Sequence, residues 1–238
     1  MTGFTSIANG HECWSGNSQI PRHRHDQAYA AIILSGFYEE CGSLGRFRVG
    51  PGDVVIHGRF EAHLDRFGPK GARILNLVIP KSERTLSCGA GRLQNADAIA
   101  RMAETDRTSA LMHLHEQLIA VAKAPLDWPD MLAADLVENP QLRLGDWARR
   151  QGLAAETLSR GFHRVFGIAP AAFRTETRAR KAFVRIQAGY ESLAAIAAES
   201  GFADQAHMSR ATRSLTGNTP GYWRTASNLF KTEAGPTH

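Results

Sequence analysis

Residues 193–224 read LAAIAAESGFADQAHMSRATRSLTGNTPGYWR, and residues 144–174 read LGDWARRQGLAAETLSRGFHRVFGIAPAAFR. The two stretches are copies of one pattern. Leu144, Trp147, Ala148 and Gly152 recur as Leu193, Ile196, Ala197 and Gly201 at an offset of 49. Ser159, Arg160, Gly167, Pro170 and Arg174 recur as Ser209, Arg210, Gly217, Pro220 and Arg224 at an offset of 50. Each copy predicts a first helix with apolar residues at i, i+3 and i+4, and with Ala148 or Ala197 where helices approach closely. Gly152 or Gly201 then suits a turn that needs positive φ. A second helix follows, closed by Gly167 or Gly217 with a proline beyond it. Ser192 and Asp204 are the N-cap residues expected for the two helices of the later copy. Two helices joined by such a turn form a helix-turn-helix, whose second helix enters the DNA major groove.

The second helices divide into faces. In the earlier copy Leu158, Phe162, Val165 and Phe166 fall on the side to be buried, while Glu156, Ser159, Arg160, His163 and Arg164 lie mostly outward. In the later copy Met208 and Leu215 are apolar, and Gln205, Ser209, Arg210 and Arg213 are free to face DNA. Arginine matches the O6/N7 edge of guanine, and glutamine matches adenine. Any one surface arginine is as readily a solvated residue; it is the repetition of Arg160 as Arg210 that argues for DNA. Charge agrees, because residues 141–224 hold 13 Lys/Arg against 6 Asp/Glu, whereas the rest of the chain holds 15 against 17. Such an asymmetry points to a polyanionic partner for the C-terminal part. Two recognition helices on one chain can enter successive major grooves about 34 Å apart.

Residues 129–224 resemble the DNA-binding domain of the AraC/XylS-type regulators, most specifically in the G-F-x(5)-M-S-R…G-x-x-P segment of the later copy. The resemblance implies two helix-turn-helix subdomains joined by a long helix, here Phe173–Ala188. It also implies base contacts from Glu156, Ser159 and Arg160, and from Gln205, Ala206, Ser209 and Arg210. Two positions depart from the family pattern. Thr212 stands where a core Phe is usual, and Arg143 where a Ser or Thr cap is usual, so the later copy is expected to pack less tightly.

The first ninety residues read as strands and turns, with β-rich runs at Ala30–Glu39, Arg46–Val49, Asp53–Ile56 and Arg73–Ile79 punctuated by Gly and Pro, which suggests a small sandwich or barrel. His23-Arg24-His25, then Gly52-Asp53-Val54-Val55-Ile56, then His63 resemble a degenerate cupin, the small barrel that often precedes such a DNA-binding domain. The resemblance maps two histidines of its first motif to His23 and His25, the histidine of its second motif to His63, and puts Tyr29 where the glutamate would be. A turn proline is missing near His57-Gly58. Histidines spaced H-x-H on a strand share a face, so joint ligation of Zn, Fe, Ni or Cu by His23, His25 and His63 is geometrically open. The alternative is a metal-free effector pocket lined by His23, His25, Tyr29, His57 and His63, and the missing carboxylate favours it.

Between these parts the pattern turns helical. Leu93, Ala96, Ile99, Ala100 and Ala103 form one stripe, and Leu111, Leu114, Leu118 and Val121 form another that either pairs with a second copy or packs on the β-domain. His113 and His115 are two apart on a helix and read as solvated. The run Ala124-Pro125-Leu126-Asp127-Trp128-Pro129 marks a boundary, after which Asp130 caps a helix Met131–Glu138 ended by Pro140. The expected organisation is therefore α+β and multidomain: 1–90 a cupin-like sensor, 91–125 a helical linker and candidate dimer contact, 126–225 the DNA-binding domain, and 226–238 a tail. Cys13, Cys41 and Cys88 have neither C-x-x-C nor zinc-ribbon spacing and read as free thiols in a reducing cytoplasm. No apolar run approaches the ~18 residues of a membrane span, and no secretory leader is visible at the start.

The leading expectation is a non-enzymatic, cytoplasmic regulator. It binds double-stranded promoter DNA, answers to a small molecule or a metal at the cupin-like domain, and has RNA polymerase and a second copy as further candidate partners. Two alternatives stand beside it, a metal-dependent cupin enzyme and an effector-independent DNA-binding protein.

Overall fold

In the computed structural model, residues 4–80, 89–121, 127–139 and 141–233 are described. The expected breaks at Ala124–Leu126 and Pro140, the thiol of Cys88 and the end of the tail lie outside them. The chain divides into a first unit, residues 3–130 with 165–167, and a second that holds the rest from Met131 on.

The first unit is built on one antiparallel sheet. Its strands are β1 (Gly10–Trp14), β2 (Gln19–Arg24), β3 (Ala28–Gly42), β4 (Gly45–Val49), β5 (Asp53–His57), β6 (Ala62–Ile79), β7 (Gly89–Leu93) and β8 (Leu118–Ala120). They run in the order β1-β6-β3-β5-β7-β8, with β2 also on β6 and β4 also on β3. The two long strands, β3 and β6, carry the architecture: each changes partner along its length, and their mutual register slips between Ile33 and Ser35 and again between Gly36 and Tyr38. Glycine makes this corner possible. Gly36 and Gly71 both have positive φ, and a Cβ on Gly36 would lie 2.0 Å from the Gly71 carbonyl oxygen.

The apolar run of β3 is buried on both faces, which is why it shows no polar alternation. Ala30 and Ile32 join a core with α1 (Ala96–Thr105) and α2 (Arg107–Gln117), while Tyr29, Ala31 and Ile33 enter a second core with Tyr38, Phe47, Phe67 and Ile74. Asn95 caps α1 and Asp106 caps α2, each accepting from the backbone N–H three residues on.

The segment read as a helical linker packs on the β-domain and includes a short strand. Ala96, Ile99, Ala100 and Ala103, then Ala110, Leu111 and Leu114, all pack on the sheet. The helix ends at Gln117, so Leu118 is not helical but begins β8, which pairs with β7. Leu114 is completely buried, so of the two outcomes open for this stripe the structure shows packing on the β-domain. His113 and His115 are exposed, as the helical spacing predicted. Cys13 is exposed and Cys41 buried, both as free thiols, and burial pushes the Cys41 thiol up to about 12.

The second unit is all α: α3 (Trp128–Glu138, which begins just before it), α4 (Leu144–Arg150), α5 (Ala155–Phe166), α6 (Pro170–Ala188), α7 (Leu193–Glu199), α8 (Gln205–Thr216) and α9 (Pro220–Glu233). Asp130 lies within the first turn of α3 rather than capping it, because the helix starts earlier, at Trp128. Likewise α9 carries helix into the expected tail. The fold class stands as read, an antiparallel β-domain followed by a helical domain with two helix-turn-helix units. Among the described residues no helix is long and apolar enough to cross a membrane.

Candidate DNA interface and candidate effector pocket

The two copies fold as the repeat demands. Gly152 and Gly201 turn the chain at φ 65° and 81°, and Gly167 and Gly217 end α5 and α8 at φ 68° and 80°. Ser192 accepts from the Ala195 N–H and Asp204 from the His207 N–H, so α7 and α8 are both capped. Arg143, at the same place before α4, makes no side-chain cap. Trp147, Ala148, Ile196 and Ala197 are buried where the paired helices meet. On α5, Leu158, Phe162 and Phe166 are buried and Val165 half-buried. On α8, Met208, Thr212 and Leu215 are buried.

The opposite faces are open. Glu156, Ser159, Arg160, His163 and Arg164 are exposed on α5; Gln205, Ala206, Arg210 and Arg213 are exposed on α8, with Ser209 half-buried. Arg160 pairs with Glu156 at 3.1 Å, but both side chains are more than 70% exposed, so the pair is worth only a few tenths of a kcal/mol and does not fix the guanidinium.

Long helix α6 ties the copies together. Phe173 packs edge-on against Phe162 near its start, and Phe183 packs edge-on against Trp223 near its end. Arg185 pairs with both Glu191 and Glu199, anchoring α7.

In the first unit a cavity of about 330 Å³ opens in the sheet's inner face. All five residues read as an effector pocket, His23, His25, Tyr29, His57 and His63, line it. The strands explain the convergence: β2 sets His23 opposite His63 on β6, and β5 sets His57 opposite Tyr29 on β3. The turn between β5 and β6 holds Phe60 at φ 58°, a left-handed conformation that costs a residue with a Cβ roughly 1–2 kcal/mol. It is held there by the Phe60 N–H donating to the His25 carbonyl and the Gly58 N–H donating to the Glu61 carboxylate.

The protonation of the rings follows from their partners. His23 Nδ1 lies 3.0 Å from the Pro21 carbonyl and His25 Nδ1 lies 2.6 Å from the Thr5 carbonyl. A carbonyl only accepts, so each Nδ1 carries the proton and each Nε2 keeps its lone pair. Burial, reinforced by neighbouring imidazoles, lowers His23 to about 4 and lowers His25. His63 is held well below its ordinary value by the same two causes. The rings are therefore neutral near pH 7, the state in which imidazole binds metal.

Two buried carboxyls that the sequence pattern did not mark lie beside the histidines. Tyr29, at the glutamate position of that pattern, sets its hydroxyl 3.3 Å from His63 Nε2. Glu40, farther along β3, is 1% exposed and places Oε2 3.3 Å from His57 Nε2. Asp65, its cross-strand partner on β6, is also buried, with Oδ2 3.8 Å from His63 Nε2. Burial, then the charge of Glu40, push the Asp65 carboxyl well above its usual range. The ligand atoms of His23, His25 and His63 lie within 4.8 Å of one another, and so do those of Glu40, His57 and His63.

Residues 147–226 match the helix-turn-helix domain family. No curated protein matches the chain. Among solved structures, the chain resembles apo ToxT K231A from Vibrio cholerae at 12% identity, over 90% of this chain and 95% of that one, with a TM-score of 0.42. A probable AraC family transcriptional regulator from Rhodopseudomonas palustris is 20% identical over 40% of this chain and 93% of its own, with a TM-score of 0.38. The C-terminal domain of AraT, a response regulator from Geobacillus stearothermophilus, is 21% identical over 41% of this chain and 84% of its own, with a TM-score of 0.39.

Proposed function

From the premise that the C-terminal region is an AraC-type helix-turn-helix domain, we propose that this protein is a sequence-specific, DNA-binding transcription regulator whose N-terminal pocket receives the controlling signal. One observation carries the DNA reading. Both copies present an open polar face with a Ser-Arg pair in the same place, Ser159-Arg160 on α5 and Ser209-Arg210 on α8, while their opposite faces are buried. Arg160 and Arg210 read bases, with Glu156, Gln205 and Ala206 beside them. His163, Arg164 and Arg213 meet the flanking backbone, where charge adds affinity without sequence information. The effector is a small molecule or ion that fits the histidine-lined cavity, and RNA polymerase and a second copy are the further partners this reading invites.

The test is selection of binding sites from a random duplex library by purified protein at moderate salt, with and without divalent metal. Two enriched motifs about one helical turn apart support paired recognition. One motif restricts base reading to one copy. Enrichment of nothing, with binding that is steeply salt-dependent and sequence-indifferent, supports an effector-independent binder instead.

A second reading, a metal-dependent enzyme, gains one supporting observation, the buried Glu40 beside His57. It leaves the paired polar helix faces unexplained. A variant lacking both Arg160 and Arg210 separates the readings, since a regulator loses its DNA function and an enzyme keeps its turnover.

A further inference from the structure

We propose that the pocket holds one divalent transition-metal ion on Glu40, His57 and His63, a seat distinct from the His23–His25–His63 triad. Its chemistry is independent of the DNA reading; only its role as a signal rests on that reading.

Three observations place the ion here. First, Glu40 Oε2 and His57 Nε2 are 3.3 Å apart, and both side chains are at most 2% exposed. Metal–nitrogen and metal–oxygen bonds of about 2.0–2.2 Å in tetrahedral geometry set neighbouring donors about 3.3 Å apart. This pair already stands at coordination spacing, and His63 completes a set within 4.8 Å, so only side-chain rotation is needed to close on an ion.

Second, charge selects this seat over its neighbour. Glu40 and Asp65 face one another across β3 and β6, and both are buried. The cavity they line also holds Glu12, Arg22, Tyr29 and Tyr38. Two desolvated carboxyls at this distance are costly until a cation joins them or a proton neutralises one. An ion on Glu40 takes a carboxylate directly among its ligands, whereas one on His23, His25 and His63 has none.

Third, Asp65 Oδ1 lines the same cavity, is buried, and has no hydrogen-bond partner. It is available to a ligating water or to the N–H of His63, the outer-shell role that orients a metal-bound histidine. The mixed N₂O donor set suits Zn, Fe, Co or Ni better than Ca or Mg. A fourth position would be left for water or an effector anion.

Cobalt(II) is the probe. Full-length protein, stripped with chelator and titrated with Co(II), is expected to develop visible d–d absorption saturating at one equivalent. X-ray absorption of the loaded wild type is expected to count two imidazoles plus oxygen donors. Glu40→Gln and His57→Gln are expected to weaken Co(II) by more than the ~10–100-fold that loss of an outer-shell partner costs, and His23→Asn by less. Circular dichroism checks that each variant folds, and the imidazole count in wild type decides the matter even where one does not. Three imidazoles, or His23→Asn weakening binding more than Glu40→Gln does, would overturn the assignment in favour of the other triad. No saturable cobalt binding by wild type would also overturn it, yet would leave the DNA reading untouched if the random library still enriches motifs. Cobalt binding without enrichment would do the reverse.

Discussion

Glu40 and His57 meet at 3.3 Å with both side chains closed to solvent, although they lie on different strands and far apart in the chain. The cavity they line gathers four imidazoles, His23, His25, His57 and His63, and three carboxyls, Glu12, Glu40 and Asp65. The balance of protons in this cluster makes the stability of the first unit depend on pH.

In chelator-treated protein that dependence has a definite sign. His23 has a folded value of about 4 against an ordinary 6.5, and His25 and His63 are shifted the same way. Between those values the unfolded chain binds protons that the folded chain refuses, so stability falls as pH drops from 6.5 toward 4. Asp65 opposes this, since its raised value means that the folded state holds a proton the unfolded state has lost. Three imidazoles outweigh one carboxyl, and the urea midpoint is expected to be lower at pH 5 than at pH 7. Equal midpoints would show that the imidazoles do not outweigh the carboxyl.

Replacing Arg160 or Arg210 by Ala is expected to cost ~1–3 kcal/mol of affinity for a cognate site and to relax preference at one position each. The Glu156 pair does not complicate Arg160, because both partners are largely exposed. Fluorescence anisotropy on a selected site measures both losses. Affinities equal to wild type would remove these residues from base recognition.

Thr212 is fully buried, and its hydroxyl oxygen has no hydrogen-bond partner. An orphaned buried hydroxyl costs on the order of 1–3 kcal/mol, and valine has the same shape without it. Thr212→Val is therefore expected to raise stability by about 1 kcal/mol. A thermal melt that stays put or falls would mean that water reaches the hydroxyl.

The start of α4 offers a second gain. Arg143 occupies the cap position with extended backbone but makes no cap bond, whereas Ser192 does so at the equivalent place before α7. Arg143→Ser is expected to stabilise by ~0.5–2 kcal/mol, read from the denaturant midpoint at unchanged slope.

Much of the second unit was legible because its signals are local. The glycines, caps and apolar spacing of two adjacent copies each concern neighbours within one or two turns, and the duplication repeats the message. The first unit was legible in its strands and its histidines, but not in its carboxylate. Strict alternation carried forward from Tyr29 would send Glu39 inward and Glu40 out. The register slips around Gly36 reverse the parity, so Tyr29 and Ala31 line the cavity before the corner and Tyr38 and Glu40 after it. A bulge is a property of two paired strands, and one strand's sequence does not announce it. The helices after β7 left two outcomes open for a related reason. An apolar stripe says that a face is covered, and only the sheet's topology says that Leu111 and Leu114 are covered from within the same chain.

Helix α6 acts as a ruler. Phe173 binds it to the first recognition helix and Phe183 to the second copy, ten residues or roughly 15 Å along one rigid rod. One residue gained or lost between them would swing one reading head by about 100° relative to the other while shifting it only about 1.5 Å. Each head would keep its fold and its side chains, but the pair would no longer meet the same face of a duplex. On the proposed reading the length of α6 therefore matters as much as the side chains assigned to the bases, and α6 should tolerate substitution far better than insertion.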